Sequence, residues 1–285
     1  HDMGITHVIR GDDHISNTPK QVLLYRALGY PEPRFGHVPL ILGSDGKRLS
    51  KRHGATAVGD YEAQGILPEA MMNFLALLGW NPGDDREVMS RSELLAAFTP
   101  ERILKKSSVF DLDKLAWLNG RHLAETPAAR LLPKVRERLP EAVGADADRL
   151  ADDAWLSTLV DLVKVRARTV HDMADQAKPF VFEAIAYDEQ AVAKQWAKDP
   201  AETLARLEAM ASMLRQVEWS GSELEAGLRA LAERVGVGAG KLIHPLRVAL
   251  TGQMTSPGIF EVLLLLGRDR ALARVEAAAA RVRAL

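Results

Sequence analysis

Two patterns of apolar residues divide the chain at about residue 54. Before that point, two short apolar runs bounded by turn residues, Thr6–Arg10 and Val38–Leu42, predict strands. Between them, Thr18-Pro19-Lys20-Gln21 carries an N-cap, a proline at the first helical position and a capping box, and predicts a helix that ends at Gly29. The order strand, helix, strand predicts one βαβ unit with a parallel sheet.

After residue 54 the apolar spacing is helical almost throughout, and we find no further strand pattern. The pattern therefore predicts a mostly α protein, with a helical appendage on half of an α/β domain. Residues 144–153, rich in Ala and Asp, are predicted to form a linker or exposed loop. Caps, prolines and glycines predict helices over 68–78, 90–98, 111–118 with a stop at Asn119-Gly120, 127–140, 200–214, 220–236, 257–267 and 268–285.

Composition narrows the class of protein. The chain has 285 residues, 47% hydrophobic and 26% charged, which is typical of a globular protein of about two domains. The net charge of −1 gives no global signal for nucleic acid, so any RNA contact must come from local patches. The absence of cysteine excludes disulfides and thiolate zinc sites and fits a cytoplasmic protein. No apolar run reaches membrane-spanning length, and we expect no membrane partner.

The most distinctive segment is the basic loop from Gly43 to Gly54. It follows the second predicted strand, and Asp45-Gly46 predicts a tight turn within it. Its cations are Lys47, Arg48, Lys51 and Arg52. Ligands of open α/β sheets bind at strand ends, so flexible cations there suit a polyphosphate. The alternative, a solvated basic surface loop, stays open on charge alone.

Five residues of this loop, Arg48-Leu49-Ser50-Lys51-Arg52, closely resemble the "KMSKS" signature of class I aminoacyl-tRNA synthetases. Arg48 stands where the signature has Lys. Further segments resemble bacterial-type glutamyl-tRNA synthetases: residues 4–14 and 17–21, 67–80, 110–119, 246–252 and 256–257. The resemblance implies four domains: the end of a Rossmann-like catalytic domain (1–54), a helical stem-contact domain (55–126), and two helical anticodon-binding subdomains (127–188 and 189–285).

The resemblance also implies a reaction. Family members activate L-glutamate with ATP to glutamyl-adenylate and transfer it to the 3′ end of glutamate tRNA. Lys51, Arg48 and Arg52 would then hold the leaving phosphates, and Ser50 would donate a hydrogen bond. ATP is expected as a substrate accompanied by Mg²⁺, and a monomer is the family expectation.

Residues near the first strand receive roles by the same analogy. Arg10 would bind the glutamate substrate, because a bidentate carboxylate pair is the natural use of Arg. Asp12, Asp13 and His14 would lie near the adenylate ribose. The alternatives are a surface arginine at a strand end and ordinary turn chemistry for the Asp residues.

In the helical part, Arg166 and Arg168 could contact anticodon bases, because Arg both stacks on bases and bonds their edges. The alternative is a solvated helix end. Arg247 lies in a segment that resembles the anticodon-binding domain, and we favour base recognition there over a structural role at a helix end.

The other signature of the family, His-x-Gly-His, does not occur in this sequence; Phe35-Gly36-His37 has Arg34 where the first His would be. The chain also starts without Met, so we expect a fragment that does not form the adenylate alone. The alternative function is a non-catalytic tRNA-binding module. Glutaminyl enzymes with β-barrel anticodon domains, and a related enzyme without a helical anticodon region, are disfavoured by the helical pattern of residues 127–285.

Overall fold

The computed structural model describes residues 1–50, 57–139 and 146–285. These form two compact units, His1–Glu125 and Thr126–Leu285. The predicted mostly α fold is confirmed, while the four-domain division stays a prediction. No helix in the described ranges is both long and apolar enough to cross a membrane.

Unit 1 begins with the predicted βαβ unit. Its strands are β1 (His7–Gly11) and β2 (Arg34–Val38), which pair in parallel with His7 opposite Arg34, and α1 (Thr18–Ala27) connects them. A 3₁₀ helix, Asp12–Asn17, separates β1 from α1. The carboxyl ends of both strands therefore meet at one edge.

The prediction for the second strand was wrong in its bounds. The strand covers Arg34–Val38, and the apolar run that follows is only half-buried. Pro39 has no N–H to donate to a ladder, so the strand ends before it. The run instead leads into a hairpin, in which Leu49 N donates to Ile41 O at 2.9 Å.

The predicted start of α1 was also wrong in detail. Its N-cap is Asn17, without a side-chain capping bond, and Thr18 is the first helical residue. The Thr18 hydroxyl bonds instead to Arg10 and His37 across the βαβ unit. A tertiary contact has thus replaced the local cap that the sequence predicts.

The rest of unit 1 is helical. Its helices are α2 (Val58–Ala63), α3 (Pro68–Leu77), α4 (Arg91–Ala97), a 3₁₀ turn (Pro100–Arg102) and α5 (Leu112–Glu125). The capping box of Ser90 and Glu93 at the start of α4 is confirmed. Trp80, Met89 and Leu94 form a buried cluster beneath it.

The predicted stop at Asn119-Gly120 was wrong, because α5 continues to Glu125. Asn disfavours helix interiors since its side chain competes for backbone groups. Here the fully buried Asn119 uses that capacity on another segment: its Oδ1 accepts from Leu67 N at 2.8 Å, and its Nδ2 donates to Gly65 O at 3.2 Å. The side chain therefore joins α5 to the entry of α3.

Unit 2, in its described residues, consists of helices joined by loops. Its helices are α6 (Ala128–Arg138), α7 (Ala147–Ala151), α8 (Asp153–Lys164), α9 (Val170–Val181), α10 (Glu189–Gln195), α11 (Pro200–Gln216), α12 (Gly221–Arg234), α13 (Gly240–Thr251), α14 (Ile259–Leu266) and α15 (Arg268–Arg283). The predicted start at Pro200 is confirmed, as is Ser220, whose hydroxyl accepts from Glu223 N. Trp196 and Phe180 are among its largest buried side chains.

The predicted linker at 144–153 was wrong where it is described. Helix α7 and the start of α8 occupy 147–153, and Asp146 and Asp152 cap them by accepting backbone N–H bonds. The Asp residues that suggested a loop are N-caps, which Asp favours. The predicted helix end at Pro140 lies outside the described residues.

Candidate functional site

Arg10 lies at the carboxyl end of β1 with its guanidinium held by neighbours. Its Nη2 donates to Thr18 Oγ1 at 2.9 Å, its Nε donates to His37 Nε2 at 3.4 Å, and it lies 5.3 Å from the centre of the Phe35 ring. These neighbours are a hydroxyl group, an imidazole and an aromatic ring, none of which is a carboxylate. A half-buried, oriented guanidinium whose contacts here do not include a carboxylate is suited to a carboxylate ligand.

His37 and Thr18 complete this cluster, and sequence reasoning missed both. His37 lies opposite Arg10 in the sheet register, and its Nε2 is 3.0 Å from Thr18 Oγ1. Each of the three side chains contacts the other two. The sequence signal for this contact is the strand register, which places His37 opposite Arg10. That register can be worked out only with the correct bounds of β2.

The 3₁₀ helix after β1 carries the predicted ribose-side residues. Asp13 pairs with Arg48, with 3.1 Å between Asp13 Oδ2 and Arg48 Nη2. His14 Nδ1 lies 3.3 Å from Asn17 Nδ2. Asp12 and His14 are exposed. The acidic segment therefore lies against the basic loop, which the sequence order alone does not require.

The basic loop is a closed hairpin as far as it is described. Gly43 N donates to Lys47 O at 2.8 Å, and Lys47 N donates to Asp45 Oδ1 at 2.9 Å. The predicted turn at Asp45-Gly46 is confirmed: Gly46 has φ +74°, a conformation that favours glycine. Lys51 and Arg52 lie outside the described residues, and Ser50 is exposed at the edge of that range.

The Arg48–Asp13 pair is exchangeable. The two side chains are 65% and 31% exposed, and ion pairs of this kind contribute about 0–1 kcal/mol. An incoming anion can therefore replace Asp13 as the partner of Arg48 with little loss of free energy. Together with Arg10, this edge of the sheet presents one cation suited to a carboxylate and others suited to phosphates.

The described residues contain no group of three or more His, Asp or Glu side chains that could hold a metal ion. One carboxylate near the hairpin, Asp13, is already paired with Arg48. Mg²⁺ therefore remains an expectation tied to ATP itself.

Unit 2 contains a cavity of about 650 Å³. We name two of its walls by their residues: wall A is 182–186, which follows α9, and wall B is 251–257, which starts at the last residue of α13. Helix α9 forms a further side, with lining residues Asp172, Asp175, Gln176, Lys178, Pro179 and Phe180. Arg166 and Gln176 line the cavity beside them. Gln253 and Thr255 of wall B add polar groups that sequence reasoning did not single out, because nothing in their spacing marks them.

The structure brings Arg166 and Arg247 together. Burial lowers the pKa of Arg247 below its ordinary value, and the charge of Arg166 lowers it further. Arg247 Nη1 donates to Ser256 O and to Pro257 O, both at 2.9 Å, and to the Ser256 hydroxyl. Arg247 thus bonds to the backbone of wall B, and base recognition by this residue stays a prediction.

Arg168 differs from these two. Its side chain is exposed and is not among those lining the cavity. Its backbone N donates to Asp172 Oδ2 at 3.1 Å, at the start of α9. The three predicted arginines therefore differ in setting: Arg166 lines the cavity, Arg247 bonds to the backbone of wall B, and Arg168 is exposed on the surface nearby.

Comparisons with known proteins match both units. The family described as tRNA synthetases class I (E and Q), catalytic domain, matches residues 1–117, and the family described as anticodon binding domain matches residues 128–279. The glutamate–tRNA ligase of Geobacter sulfurreducens is 46% identical over 283 residues, which cover 98% of this chain and 58% of that protein. That of Desulforudis audaxviator is 41% identical over 281 residues, 98% of this chain and 56% of that protein.

A solved structure agrees. The crystal structure of a glutamate tRNA ligase from Elizabethkingia meningosepticum, in complex with its amino acid, matches with a TM-score of 0.84 at 30% identity, covering 99% of this chain and 58% of that one. The chain thus spans 56–58% of the length of these relatives. The resemblance found in the sequence is confirmed: the chain belongs to the class I tRNA synthetases of the glutamate and glutamine group, with catalytic-domain sequence in unit 1 and an anticodon binding domain in unit 2.

Proposed function

We propose that the protein ligates L-glutamate to glutamate tRNA at the expense of ATP. The observation that carries the proposal is the edge of the sheet in unit 1, where oriented Arg10 and the cationic hairpin lie at the carboxyl ends of two parallel strands. The family membership and the glutamate–tRNA ligases among the relatives support it.

The first step joins the carboxylate of glutamate to the α-phosphorus of ATP and breaks the bond to pyrophosphate. Arg10 binds a carboxylate of glutamate and holds it in place, as the Thr18 and His37 contacts hold Arg10. Asp12 and His14, on the adjoining 3₁₀ helix, face the ribose side. Positioning and charge neutralisation supply most of the rate in such reactions.

The cations of the hairpin bind the leaving phosphates. Arg48 leaves Asp13 for the phosphates, and Lys51, Arg52 and Ser50 complete the set. The charge on pyrophosphate grows as it leaves, so cations that bind it stabilise the transition state more than the ground state. Mg²⁺ accompanies ATP as its counter-ion.

The second step needs a bound tRNA, and unit 2 supplies that contact. Arg166 lines the cavity and contacts an anticodon base, and Arg168 contacts the neighbouring backbone. Arg247, on α13, contributes to base recognition by holding Ser256 and Pro257 of wall B in place. A cavity of about 650 Å³ is large enough for an unstacked base, which is how proteins read single-stranded RNA loops.

The test is a titration of the 285-residue chain with glutamate tRNA and with an anticodon-swapped version at one fixed salt concentration, because phosphate contacts make affinity salt-dependent. Preference for the native anticodon supports the proposal. Equal weak binding of both would indicate generic electrostatics and contradict it.

A matched pair of variants sharpens the test. Arg166→Gln removes the lining cation and is expected to reduce the preference, whereas Arg229→Gln removes an exposed arginine that pairs with Glu225 on α12 and is expected to leave it unchanged. ATP–pyrophosphate exchange by the full-length protein, in the presence of glutamate tRNA, separates a ligase, which catalyses the exchange, from a non-catalytic tRNA-binding module, which does not. We expect no exchange from this chain alone, which has no His-x-Gly-His motif; exchange at a rate typical of intact synthetases would contradict that expectation.

A further inference from the structure

Arg274 is a buried charge in α15. The residue is 4% exposed, Nη1 donates to Leu250 O at 2.6 Å, and Nη2 donates to Phe182 O at 2.6 Å. Burial lowers its pKa to about 10, so it is charged at neutral pH. A buried cation needs such bonds to offset its desolvation.

The two carbonyls lie at helix ends. Leu250 is in the last turn of α13, and Phe182 is the residue that caps the C-terminus of α9. Carbonyls at these positions have no partner within their own helix and carry the negative end of the helix dipole. One guanidinium therefore satisfies the ends of two helices at once.

These helix ends lead directly into the two walls of the cavity. Wall A begins at Phe182 and wall B begins at Thr251, one residue after Leu250. Arg274 itself is not among the residues that line the cavity. It thus joins the starts of both walls without contacting a molecule bound between them.

A second contact joins the walls further on. Gly252 has φ +74°, and a Cβ added there would lie 2.0 Å from Ala186 O. Its carbonyl accepts a bond from Asp188 N at 2.9 Å. Only glycine permits this approach, so the spacing between the walls is set at two places.

We propose that Arg274 is a positioning residue for tRNA recognition: by bonding to Phe182 at the start of wall A and to Leu250 just before wall B, it sets the spacing between these two walls of the cavity in which an anticodon base is read. The proposal rests on the function proposed above. Recognition of a base edge depends on the placement of the groups in both walls, whereas phosphate contacts tolerate displacement. Loss of Arg274 therefore acts on specificity before it acts on general affinity.

The experiment measures the ratio of affinities for native and anticodon-swapped glutamate tRNA with the 285-residue chain, at one salt concentration, for Arg274→Met, Arg274→Lys and Gly252→Ala. For Arg274→Met we expect the ratio to fall about tenfold, the equivalent of about one lost hydrogen bond to a charged group. Affinity for the swapped tRNA should stay near the wild-type value. Arg274→Lys keeps the charge and should recover part of the ratio.

Gly252→Ala keeps Arg274 and all charges but forces wall B away from Ala186, so it should lower the ratio as well. This variant decides the matter if Arg274→Met does not fold, as judged by circular dichroism. The control is Arg281→Met on the same helix, where an exposed arginine lies 5.3 Å from the centre of the Tyr187 ring. Its ratio should be that of the wild type.

An unchanged ratio in folded Arg274→Met, or in Gly252→Ala when Arg274→Met is unfolded, would overturn the proposal and leave Arg274 a stabilising residue only. An equal fall in Arg281→Met would overturn it too, since charge on α15 would then be the cause. A wild-type chain without any preference would instead contradict the proposed function, so the two failures are distinguishable.

Discussion

Asn119→Leu should destabilise unit 1 because it leaves two buried backbone groups without a hydrogen-bond partner. Asn119 is fully buried, accepts a hydrogen bond from Leu67 N at 2.8 Å and donates one to Gly65 O at 3.2 Å. Each buried group left without a partner costs about 1–3 kcal/mol, which gives about 2–6 kcal/mol for the pair. Leucine is the better helix former by roughly 0.5 kcal/mol, so about 1.5–5.5 kcal/mol remains, and its larger side chain adds to the loss of stability at this buried position.

Two measurements check this expectation. Urea unfolding gives the change in the free energy of unfolding, and hydrogen exchange of the Leu67 amide reports on unit 1 directly. Asn81→Leu is the control, because Asn81 also accepts a backbone N–H bond, from Gly83 at 2.6 Å, but is exposed. It should change stability by less than about 1 kcal/mol, since water replaces the lost partner.

The reasoning would be refuted if Asn119→Leu unfolded at the wild-type urea concentration with the Leu67 amide equally protected. That result would mean that water or a shifted backbone supplies the missing partners. Asn119→Asp adds a further check: it keeps the acceptor but removes the donor to Gly65 O and buries a charge, so it should destabilise at neutral pH and less in acid.

Three further predictions concern sites described above. Arg48→Gln should change the free energy of unfolding by less than about 1 kcal/mol, because its pair with Asp13 is exposed, yet raise KM for ATP in the full-length enzyme. His37→Gln, which keeps an acceptor for Arg10, should preserve KM for glutamate in that enzyme, whereas His37→Leu should raise it with KM for ATP unchanged. Burial raises the pKa of Asp146, but bonds from Arg149 N and the Arg270 side chain outweigh it and leave the pKa below its ordinary value. This stability is therefore present above the unfolded-state pKa of about 4 and is lost as pH falls through the folded-state value, and Asp146→Asn should flatten the acid limb of a pH–stability curve for unit 2.

Local signals in the sequence predicted much of the helical framework. The capping box at Ser90, the N-cap at Ser220 and the helix start at Pro200 each depend on residues within one turn, so their outcome needs no knowledge of the rest of the fold. The turn at Asp45-Gly46 is local in the same sense. These predictions are confirmed.

Two predictions failed because a distant segment supplies the hydrogen-bond partner. Asn119 continues a helix because Gly65 and Leu67 use its amide, and Thr18 bonds to Arg10 and His37 in place of capping α1. In each case the residue type is one that interrupts or caps helices when it acts alone. The competing tertiary bond has no signature in the nearby sequence.

The sequence by itself determined the class of fold, the helix boundaries set by local caps, and the family. Motifs and capping hydrogen bonds involve only residues that are close together in the chain, so they can be recognised without the tertiary structure. Only the tertiary structure decided which side chains share a site. Asp13 and Arg48 meet because the parallel pairing of β1 and β2 brings the segments after both strands to one edge of the sheet. Arg166 with Arg247, and Arg274 with Phe182 and Leu250, are separated along the chain and meet through helix packing. Such meetings depend on burial and on the carbonyls left free at helix ends, which arise only once the helices have assembled.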